Sequence, residues 1–596
     1  MFSNKENINI LTSLLMEYGV SDAVVCPGSR NAPIVHNLSQ CGSIRCHPVT
    51  DERSAGFYAL GLAQATGRPT VVCVTSGTAL LNLAPAVAEA YYQHIPLVVV
   101  SADRPVQWIG QLDGQTLPQP DALGRFVRKA VSLPELHSSS AEADKSLDEE
   151  RWLCRRLVNE ALHASCFRQP APVHINVPIS EPLFTFDVEE LPKVSRFRLM
   201  EQVKIVDEQS EFMETVLNAD RPLIVIGQMA KNVISTATLQ SLSQHYVVFV
   251  EPLASSSYET VHFDEVVRRI SASNLDTSSF FPTYIIYVGD TIVSKSTRRW
   301  LRESKAPACL IAPDALDLHD PTMTLENILE TPMEDIDTLL ASLCNLYEYP
   351  EDYADNEAVM EHEPERRAFY AKWKSLLDHC TEHAESYEPS YSQMAVVKYF
   401  EQQLADLDID ICVHYANSSA VRLACIYAQH YVWCNRGVNG IEGTLSTAAG
   451  FSLAAEALTV CVIGDLSFFY DQNALWNTNI NGNLRIILLN NRGGGIFRQL
   501  PGLEGSPVAD TFVGAAHDTT AQGICTQNDI GYMSAKNMDE MQIGVVSLLT
   551  RDTDRPMLLE VFTDADADSK AMADYLSSLY IHLSMRSPMS LAMRRY

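Results

Sequence analysis

Short apolar runs alternate with longer helical stretches along most of the chain. Each run is four to six residues long and is rich in Val, Ile and Leu. Strands that are apolar on both faces are typical of parallel sheets covered by helices on both sides. The pattern therefore predicts an α/β protein built on open parallel sheets. The predicted strands are Asp22–Cys26, Thr70–Thr75, Pro96–Ser101, Pro172–Val177, Pro222–Ile226, Tyr246–Val250, Tyr284–Val288, Ala308–Ile311, Ile409–Val413, Thr459–Ile463, Leu484–Leu489 and Pro556–Val561.

Helices are predicted between these runs. The N-terminal segment Met1–Val20 carries Lys5 and Glu6, which favours an amphipathic helix over a secretion signal. The segment Ala79–Tyr92 predicts a second helix, and Glu52 opens a third that is rich in small residues. An acid in a first helical turn needs no function, because the helix dipole already favours it there.

The strands form three groups, and 596 residues suit three α/β units. The predicted units are residues 1–188, 196–345 and 386–596, with an acidic linker and helix at 346–385. Within that connection, the run Glu348–Glu365 holds eight acidic residues and no Lys or Arg. Such a run is typical of a solvated linker.

Charge and cysteine content narrow the function classes. The formal net charge is −30, which argues against a nucleic-acid partner and, on charge alone, against small anionic ligands. The 14 cysteines include no CxxC pair, which favours reduced thiols in a cytosolic protein. The apolar runs are too short to cross a bilayer. We therefore expect a cytoplasmic protein with no membrane span.

The third unit carries the strongest chemical signal. One predicted strand runs into Gly464-Asp465 and the next into Asn490-Asn491, followed by glycines from Gly493 onward. Ligands bind at the carboxyl ends of parallel strands, and carboxylate, amide and backbone oxygens suit Mg²⁺. The pair predicts a metal–diphosphate site, with ordinary polar turns as the alternative. The sequence has no GxGxxG, P-loop, HExxH or GxSxG motif, which disfavours dehydrogenase and ATPase functions.

This arrangement resembles the metal–diphosphate motif of thiamine-diphosphate enzymes, with Leu466 where a second glycine is usual. Further motifs occur in order along both terminal units and resemble the 2-succinyl-5-enolpyruvyl-6-hydroxy-3-cyclohexene-1-carboxylate synthase family, whose form includes Leu466. The central unit matches more loosely. These motifs are Pro27-Gly28-Ser29-Arg30, Asp51-Glu52-Arg53, Thr75-Ser76-Gly77-Thr78, Ala102-Asp103-Arg104-Pro105, Asn435-Arg436-Gly437, Gly440-Ile441 and Gly464-Asp465-Leu466-Ser467.

The resemblance implies an architecture and a reaction. It implies pyrimidine-binding, central and diphosphate-binding domains, with thiamine diphosphate and Mg²⁺ or Mn²⁺ as cofactors. It implies a transferase of menaquinone biosynthesis that decarboxylates 2-oxoglutarate and adds the succinyl carbanion to isochorismate in a 1,4-addition. It also implies a homodimer or homotetramer with the active site between subunits.

The resemblance also assigns site residues. Glu52 is the implied catalytic residue, which contacts the cofactor and promotes its deprotonation. The implied metal ligands are Asp465, Asn491 and Gly493, and the further cofactor contacts are Ile441, Leu466 and Ser467. The implied substrate-binding residues are Ser29, Arg30, Arg104, Gln115, Lys295, Ser418, Arg422, Arg436 and Phe497. Arginine forks suit two dicarboxylate substrates despite the net charge.

Some alternatives stay open at this point. Ser296 stands where the family often has a second cation, and Arg298 and Arg299 are the candidates to compensate. Another thiamine-diphosphate carboligase or decarboxylase acting on 2-oxo acids is a second enzyme hypothesis. A non-catalytic cofactor-binding homologue is a third, although Glu52 and Asp465 are both present.

Overall fold

Three parallel sheets of six, five and six strands form the framework of the computed structural model. The structure describes residues 1–136, 143–197, 208–255, 262–272, 277–314, 319–344, 357–407, 410–495, 497, 502–503 and 505–585. Every strand pairing within the three sheets is parallel, and helices pack against the sheets. The predicted α/β class is therefore confirmed.

The strand order places the ends of particular strands side by side. In the first sheet it is Arg45–Pro48, Asp22–Val25, Thr70–Val74, Leu97–Asp103, Val173–Pro178 and Lys129–Ser132. In the central sheet it is Leu325–Glu330, Ala308–Ala312, Tyr284–Val288, Pro222–Ile226 and Val247–Val250. In the third sheet it is Val432–Trp433, Ile411–Tyr415, Leu458–Gly464, Leu484–Asn490, Met557–Phe562 and Gly531–Ala535.

The helices connect these strands and are often capped by side chains. Asp51, for example, accepts the backbone N–H of Ser54 at 3.0 Å and starts the helix that Glu52 opens. The α-helices are Glu6–Glu17, Ala32–Gln40, Glu52–Thr66, Thr78–Asn82, Ala84–Tyr92, Ala143–Cys166, Glu208–Leu217, Thr236–His245, Phe263–Ala272, Lys295–Ser304, Ile336–Ser342, Glu357–Ser386, Gln393–Asp406, Ser419–Tyr427, Thr444–Ser452, Asp465–Tyr470, Gln522–Gln527, Met538–Thr550 and Ala565–Met585.

Two helix predictions are wrong in detail. The segment predicted as one helix over 79–92 forms two, Thr78–Asn82 and Ala84–Tyr92, because Pro85 has no N–H to continue the first helix and instead occupies the first turn of the second. The N-terminal helix Glu6–Glu17 is not amphipathic in its burial. Its polar residues Asn7 and Asn9 are buried with its apolar ones, because their amides reach backbone carbonyls of neighbouring segments.

The described part of the acidic run is helical and is not a linker. The part of the run up to residue 356 lies outside the described residues, whereas Glu357 begins the long helix Glu357–Ser386. This helix packs on the central sheet through Trp373, whose ring stacks on Phe263 at 4.5 Å between centroids. The chain is helical from Glu357 onward because the apolar face of the later turns of this helix packs into a hydrophobic core.

The first and third sheets share one hydrophobic core. That core joins residues of the helix Glu52–Thr66 to residues of the helix Thr444–Ser452 and of the third sheet. The two helices cross at glycines, since a Cβ at Gly61 would overlap the carbonyl oxygen of Thr447 and one at Gly450 would overlap that of Tyr58. Close approach of two helices requires such small residues. The crossing therefore fixes how the first and third units pack within one chain.

Candidate active site

The carboxyl ends of two neighbouring strands form the centre of the candidate site. Leu458–Gly464 pairs with Leu484–Asn490, so Asp465 and Asn491 follow adjacent strands, as the sequence predicts. Oδ2 of Asp465 accepts the backbone N–H of Gly493 at 2.9 Å, and Oδ1 accepts the N–H of Leu466 at 2.7 Å. The structure thus brings two of the three proposed metal ligands, Asp465 and Gly493, into direct contact.

Asp465 is a buried carboxylate without a strong positive partner. Only 3% of the residue is exposed, and burial raises its pKa against the opposing effect of its backbone hydrogen bonds. Its ion-pair partner among the described residues is His517, with Nε2 at 3.4 Å from Oδ2. A divalent cation would supply the missing counter-charge, so the site fits a metal. Ser467 is buried beside Asp465, and Leu466 is half-buried.

A cavity of about 350 Å³ opens next to this strand end. It is lined by the glycine-rich segment from Asn491 to Gly495 and by Phe497. A Cβ at Gly493 would lie 2.8 Å from the carbonyl oxygen of Gly514, so a side chain there would displace the neighbouring loop. Because the glycines leave backbone groups accessible, a diphosphate can approach them closely.

Two smaller cavities extend from this one toward the central unit. The first, about 60 Å³, shares Asn491 and Gly495 with the large cavity. It shares Arg422 with the second, a cavity of about 210 Å³ that is also lined by Lys295 and Glu251. Asn491, Gly493 and Phe497 therefore line a series of cavities with shared lining residues, and Arg422 and Lys295 line its central end.

Predicted cations gather at the central end of this series. Arg436 is buried, and its guanidinium donates to Oδ1 of Asn417 at 3.0 Å and to the carbonyl oxygen of Val293 at 3.3 Å. Burial and the charge of Arg436 lower the pKa of both Arg422 and Arg298. Like charges held this close in a partly dry site favour an anionic ligand.

The structure distinguishes the two candidates for the second cation after Lys295. Arg298 lies within electrostatic reach of Arg436, whereas Arg299 is exposed and pairs with Glu303 at 2.9 Å. Ser418 lies at the start of the helix that bears Arg422 and has a φ of +76°. Its carbonyl oxygen accepts a hydrogen bond from the Arg422 guanidinium at 2.7 Å.

The first unit gathers a second group of predicted residues at the carboxyl ends of its strands. Arg30 is buried, its pKa is lowered by burial and by the charge of Arg104, and it donates to the carbonyl oxygen of Ile179 at 2.8 Å. Arg104 donates to the carbonyl oxygen of Gly114 at 3.1 Å, next to the exposed Gln115. Ser29 is exposed beside Arg30.

Glu52 belongs to this group in the first unit. Its Oε2 accepts the amide of Asn82 at 3.3 Å. Among the described residues, no hydrogen bond or ion pair joins Glu52 to Asp465 or Asn491. Ile441, a predicted cofactor contact, is 43% exposed in the single chain. The predicted residues of one chain thus form two groups, called half-sites: Arg30, Arg104 and Glu52 in the first unit, and the residues around Asp465 and Arg422 in the third.

Sequence reasoning missed three polar residues at these half-sites, of which Gln119 and Glu251 are buried and Asp568 is half-buried. Gln119 accepts the N–H of Gly77 at 2.7 Å and donates to the carbonyl oxygen of Ala102, which fixes the two motif turns of the first unit. Glu251 accepts the N–H of Val293 at 2.6 Å, and burial raises its pKa to about 7. Asp568 holds the amide of Asn491. No local motif surrounds any of the three, so sequence offers no signal for them.

A metal ion at this site would have few charged protein ligands. In the part of the chain that the structure describes, no cluster of three or more His, Cys, Asp or Glu side chains is arranged to hold a metal ion. A metal here would therefore rely on Asp465 with amide, backbone and ligand oxygens. No helix within the described ranges combines the length and apolar character that crossing a membrane requires.

Comparison with known proteins assigns the class and then the family. Residues 8–123 match the family model described as thiamine pyrophosphate enzyme, N-terminal TPP binding domain. Together with relatives that cover nearly the whole chain, this match makes the chain a thiamine-diphosphate enzyme. It is 40% identical to the 2-succinyl-5-enolpyruvyl-6-hydroxy-3-cyclohexene-1-carboxylate synthase of Bacteroides fragilis, covering 97% of this chain and 100% of that protein. The synthase of the same name from Phocaeicola vulgatus is 38% identical, with 97% and 99% covered. That of Porphyromonas gingivalis is 32% identical, with 97% of each covered.

The chain belongs to the 2-succinyl-5-enolpyruvyl-6-hydroxy-3-cyclohexene-1-carboxylate synthase family. The resemblance inferred from the motifs is thereby confirmed, including for the central unit, since the alignments extend over nearly the whole chain.

Proposed function

We propose that the protein decarboxylates 2-oxoglutarate and adds the resulting succinyl carbanion to isochorismate, in menaquinone biosynthesis. The observation that carries this proposal is the set of cations at the two half-sites. Each substrate is a dicarboxylate, so the site must neutralise four carboxylates. Arg30 and Arg104 in one half-site, with Lys295, Arg422 and Arg436 in the other, provide five cations. A site for a monocarboxylate such as pyruvate would need fewer.

Thiamine diphosphate, when bound, supplies the electron sink for loss of CO₂ from a 2-oxo acid. Glu52 would hold and move the proton that activates the cofactor. Its carboxylate stands in the first turn of the helix Glu52–Thr66, where the helix dipole stabilises negative charge, and Asn82 restrains it. Ile441, Leu466 and Ser467 would contact the cofactor.

Asp465 and Asn491, with the backbone carbonyl of Gly493, would hold Mg²⁺ or Mn²⁺ against the diphosphate. Oxygen ligands of this kind leave positions for phosphate oxygens and water. Asp465 already lacks a strong positive partner, and the cavity beside Gly493 has room for a diphosphate. Ser29, Gln115, Ser418 and Phe497 would complete the substrate contacts around the arginines.

The complete site would form between two subunits of a homodimer or homotetramer. Supporting this, the loop that follows Arg104 exposes apolar side chains next to the half-site of Glu52: Leu112 is 99% exposed, Val106 82% and Trp108 49%. Exposed apolar groups of this size favour a protein contact. The reaction would take place in the cytoplasm, since all 14 cysteines are free thiols.

A complementation experiment tests the shared site. Glu52→Gln and Asp465→Ala should each be nearly inactive, but a mixed dimer keeps one site with both native residues. Random pairing makes half of the dimers mixed, so co-expressed variants with different tags should recover roughly a quarter of wild-type activity. No recovery in purified mixed dimers would contradict a site between subunits.

The reaction itself is tested by supplying isochorismate, 2-oxoglutarate, thiamine diphosphate and Mg²⁺ to the wild-type protein. We expect CO₂ release and a new carbon–carbon bond. Replacing 2-oxoglutarate by pyruvate should reduce the rate strongly. Equal turnover of pyruvate would instead favour a different 2-oxo acid carboligase.

A further inference from the structure

Asp568 lies in the first turn of the C-terminal helix Ala565–Met585 and contacts Asn491, one of the proposed metal ligands. Its Oδ2 accepts the side-chain amide of Asn491 at 2.9 Å and the hydroxyl of Thr563 at 2.9 Å. Its Oδ1 accepts the backbone N–H of Gln393 at 2.8 Å. The carboxylate therefore joins three segments that are distant in sequence.

The chemistry of the two groups decides the orientation of the Asn491 side chain. An ionised carboxylate only accepts hydrogen bonds, so it must face the NH₂ end of the amide. Asn491 then turns its Oδ1 away from Asp568, and only that oxygen can bind a hard cation. Without a fixed acceptor, an Asn side chain can rotate and present nitrogen to the metal instead.

The other two donors fix Asp568 itself. Gln393 begins the helix Gln393–Asp406, and Thr563 directly follows the strand Met557–Phe562, which lies next to the strand that ends at Asn490. Gln393 lies in a helix and Thr563 borders a strand of the third unit, so the carboxylate has little freedom to follow a rotating amide. Burial raises the pKa of Asp568, and its three hydrogen-bond donors oppose that rise.

We propose that Asp568 is a positioning residue that orients Asn491 as a metal ligand and thereby couples the C-terminal helix to cofactor binding. This inference rests on the metal–diphosphate site of the proposed function. Partners that hold a ligand in place in this way commonly contribute 10- to 100-fold, roughly, to metal affinity.

Calorimetric titration of the full-length protein with Mg²⁺ and thiamine diphosphate tests this role. Asp568→Asn should weaken Mg²⁺-dependent binding roughly 10- to 100-fold, because the new amide presents a donor toward Gln393 or Asn491. Asp574→Asn removes the same charge from an exposed position of the same helix and should leave binding unchanged. Binding by Asp568→Asn within threefold of wild type would overturn the inference.

A swap variant separates positioning from a purely structural role. In Asn491→Asp with Asp568→Asn, a carboxylate faces the metal and the amide stands behind it, so binding should recover to within about tenfold of wild type. Melting temperatures without metal should differ little among the variants. Weak binding by the swap, with a lowered metal-free melting temperature in Asp568→Asn, would show a structural role and refute the proposal. If the wild type itself lacked Mg²⁺-dependent binding, the metal site and this inference would fail together; an unchanged Asp568→Asn affects only the inference.

Discussion

Oδ2 of Asp465 accepts the backbone N–H of Gly493 at 2.9 Å, across 28 positions of sequence. This bond joins the ends of two adjacent strands and holds the glycine-rich turn against the carboxylate. The turn is thus positioned before any ligand binds, which lowers the conformational cost of binding a metal and a diphosphate.

We expect Glu52→Gln to lower kcat by about 10²- to 10⁴-fold, the usual contribution of a positioned proton-transfer group. The amide keeps the shape of the side chain and can still contact Asn82, so the melting temperature should not change. Thiamine diphosphate should still bind, because the proposed metal ligands are intact. Steady-state rates and calorimetry check the two halves of this prediction, and a kcat within tenfold of wild type would contradict the proton role.

Arg436→Lys should lower kcat/KM by about 10- to 100-fold, mainly through KM for a carboxylate substrate. The guanidinium bridges Asn417 and Val293, and a lysine ammonium cannot span both contacts and still present a fork to a ligand. Losing one or two charge-assisted hydrogen bonds has an effect of this size. Arg299→Lys is the matched control, since Arg299 is exposed and pairs with Glu303. Equal effects of the two substitutions would argue against a substrate role for Arg436.

Gly61→Ala should lower the free energy of unfolding by about 1–3 kcal/mol, the usual effect of overpacking. The added methyl would overlap the carbonyl oxygen of Thr447 where the two helices cross. Gly523→Ala adds the same methyl where no atom lies within 4 Å and should leave stability nearly unchanged. Denaturant titration of both variants, monitored by circular dichroism, measures their free energies of unfolding. If Gly61→Ala were as stable as Gly523→Ala, the two helices would not be tightly packed at Gly61.

Glu251 should make stability depend on pH. Burial raises its pKa from 4.5 to about 7, so between these values the folded protein binds a proton that the unfolded chain has released. Its contribution to stability therefore falls as pH rises from about 4.5 to about 7 and is level above that. Arg436 opposes the shift, whereas Asp264 adds to it. Glu251→Gln should lose less stability than wild type over this range, and Glu17→Gln, an exposed control, should follow wild type.

The sequence predicts the inner strands well and the outer ones poorly. All twelve predicted strands are present with ends within two residues, although Ile409 lies outside the described residues. The five strands that were not predicted all lie at sheet edges. Such strands are short or partly exposed, so they lack the apolar run that marks a strand buried on both faces. They are Arg45–Pro48, Lys129–Ser132, Leu325–Glu330, Val432–Trp433 and Gly531–Ala535.

In the candidate site, too, some residues can be predicted from the sequence and others cannot. Asp465 and Asn491 are predictable because each directly follows an apolar strand, so their proximity depends only on strand adjacency. Asp568 is not predictable, because it meets Asn491 through the packing of a helix 77 positions away. Glu251 likewise reaches the cation group through contact between the central and third units. Local patterns specify the ends of strands, whereas these contacts depend on how whole units pack.

The core shared by the first and third sheets affects how the nascent chain folds during translation. The helix Glu52–Thr66 is covered by the helix Thr444–Ser452, which begins 378 residues after the first one ends. At ordinary rates of translation the second helix follows after roughly 20 to 75 seconds. During that interval the apolar face around Phe57 has no native cover. We therefore expect the emerging protein to rely on chaperones, and a truncated first unit produced alone to aggregate.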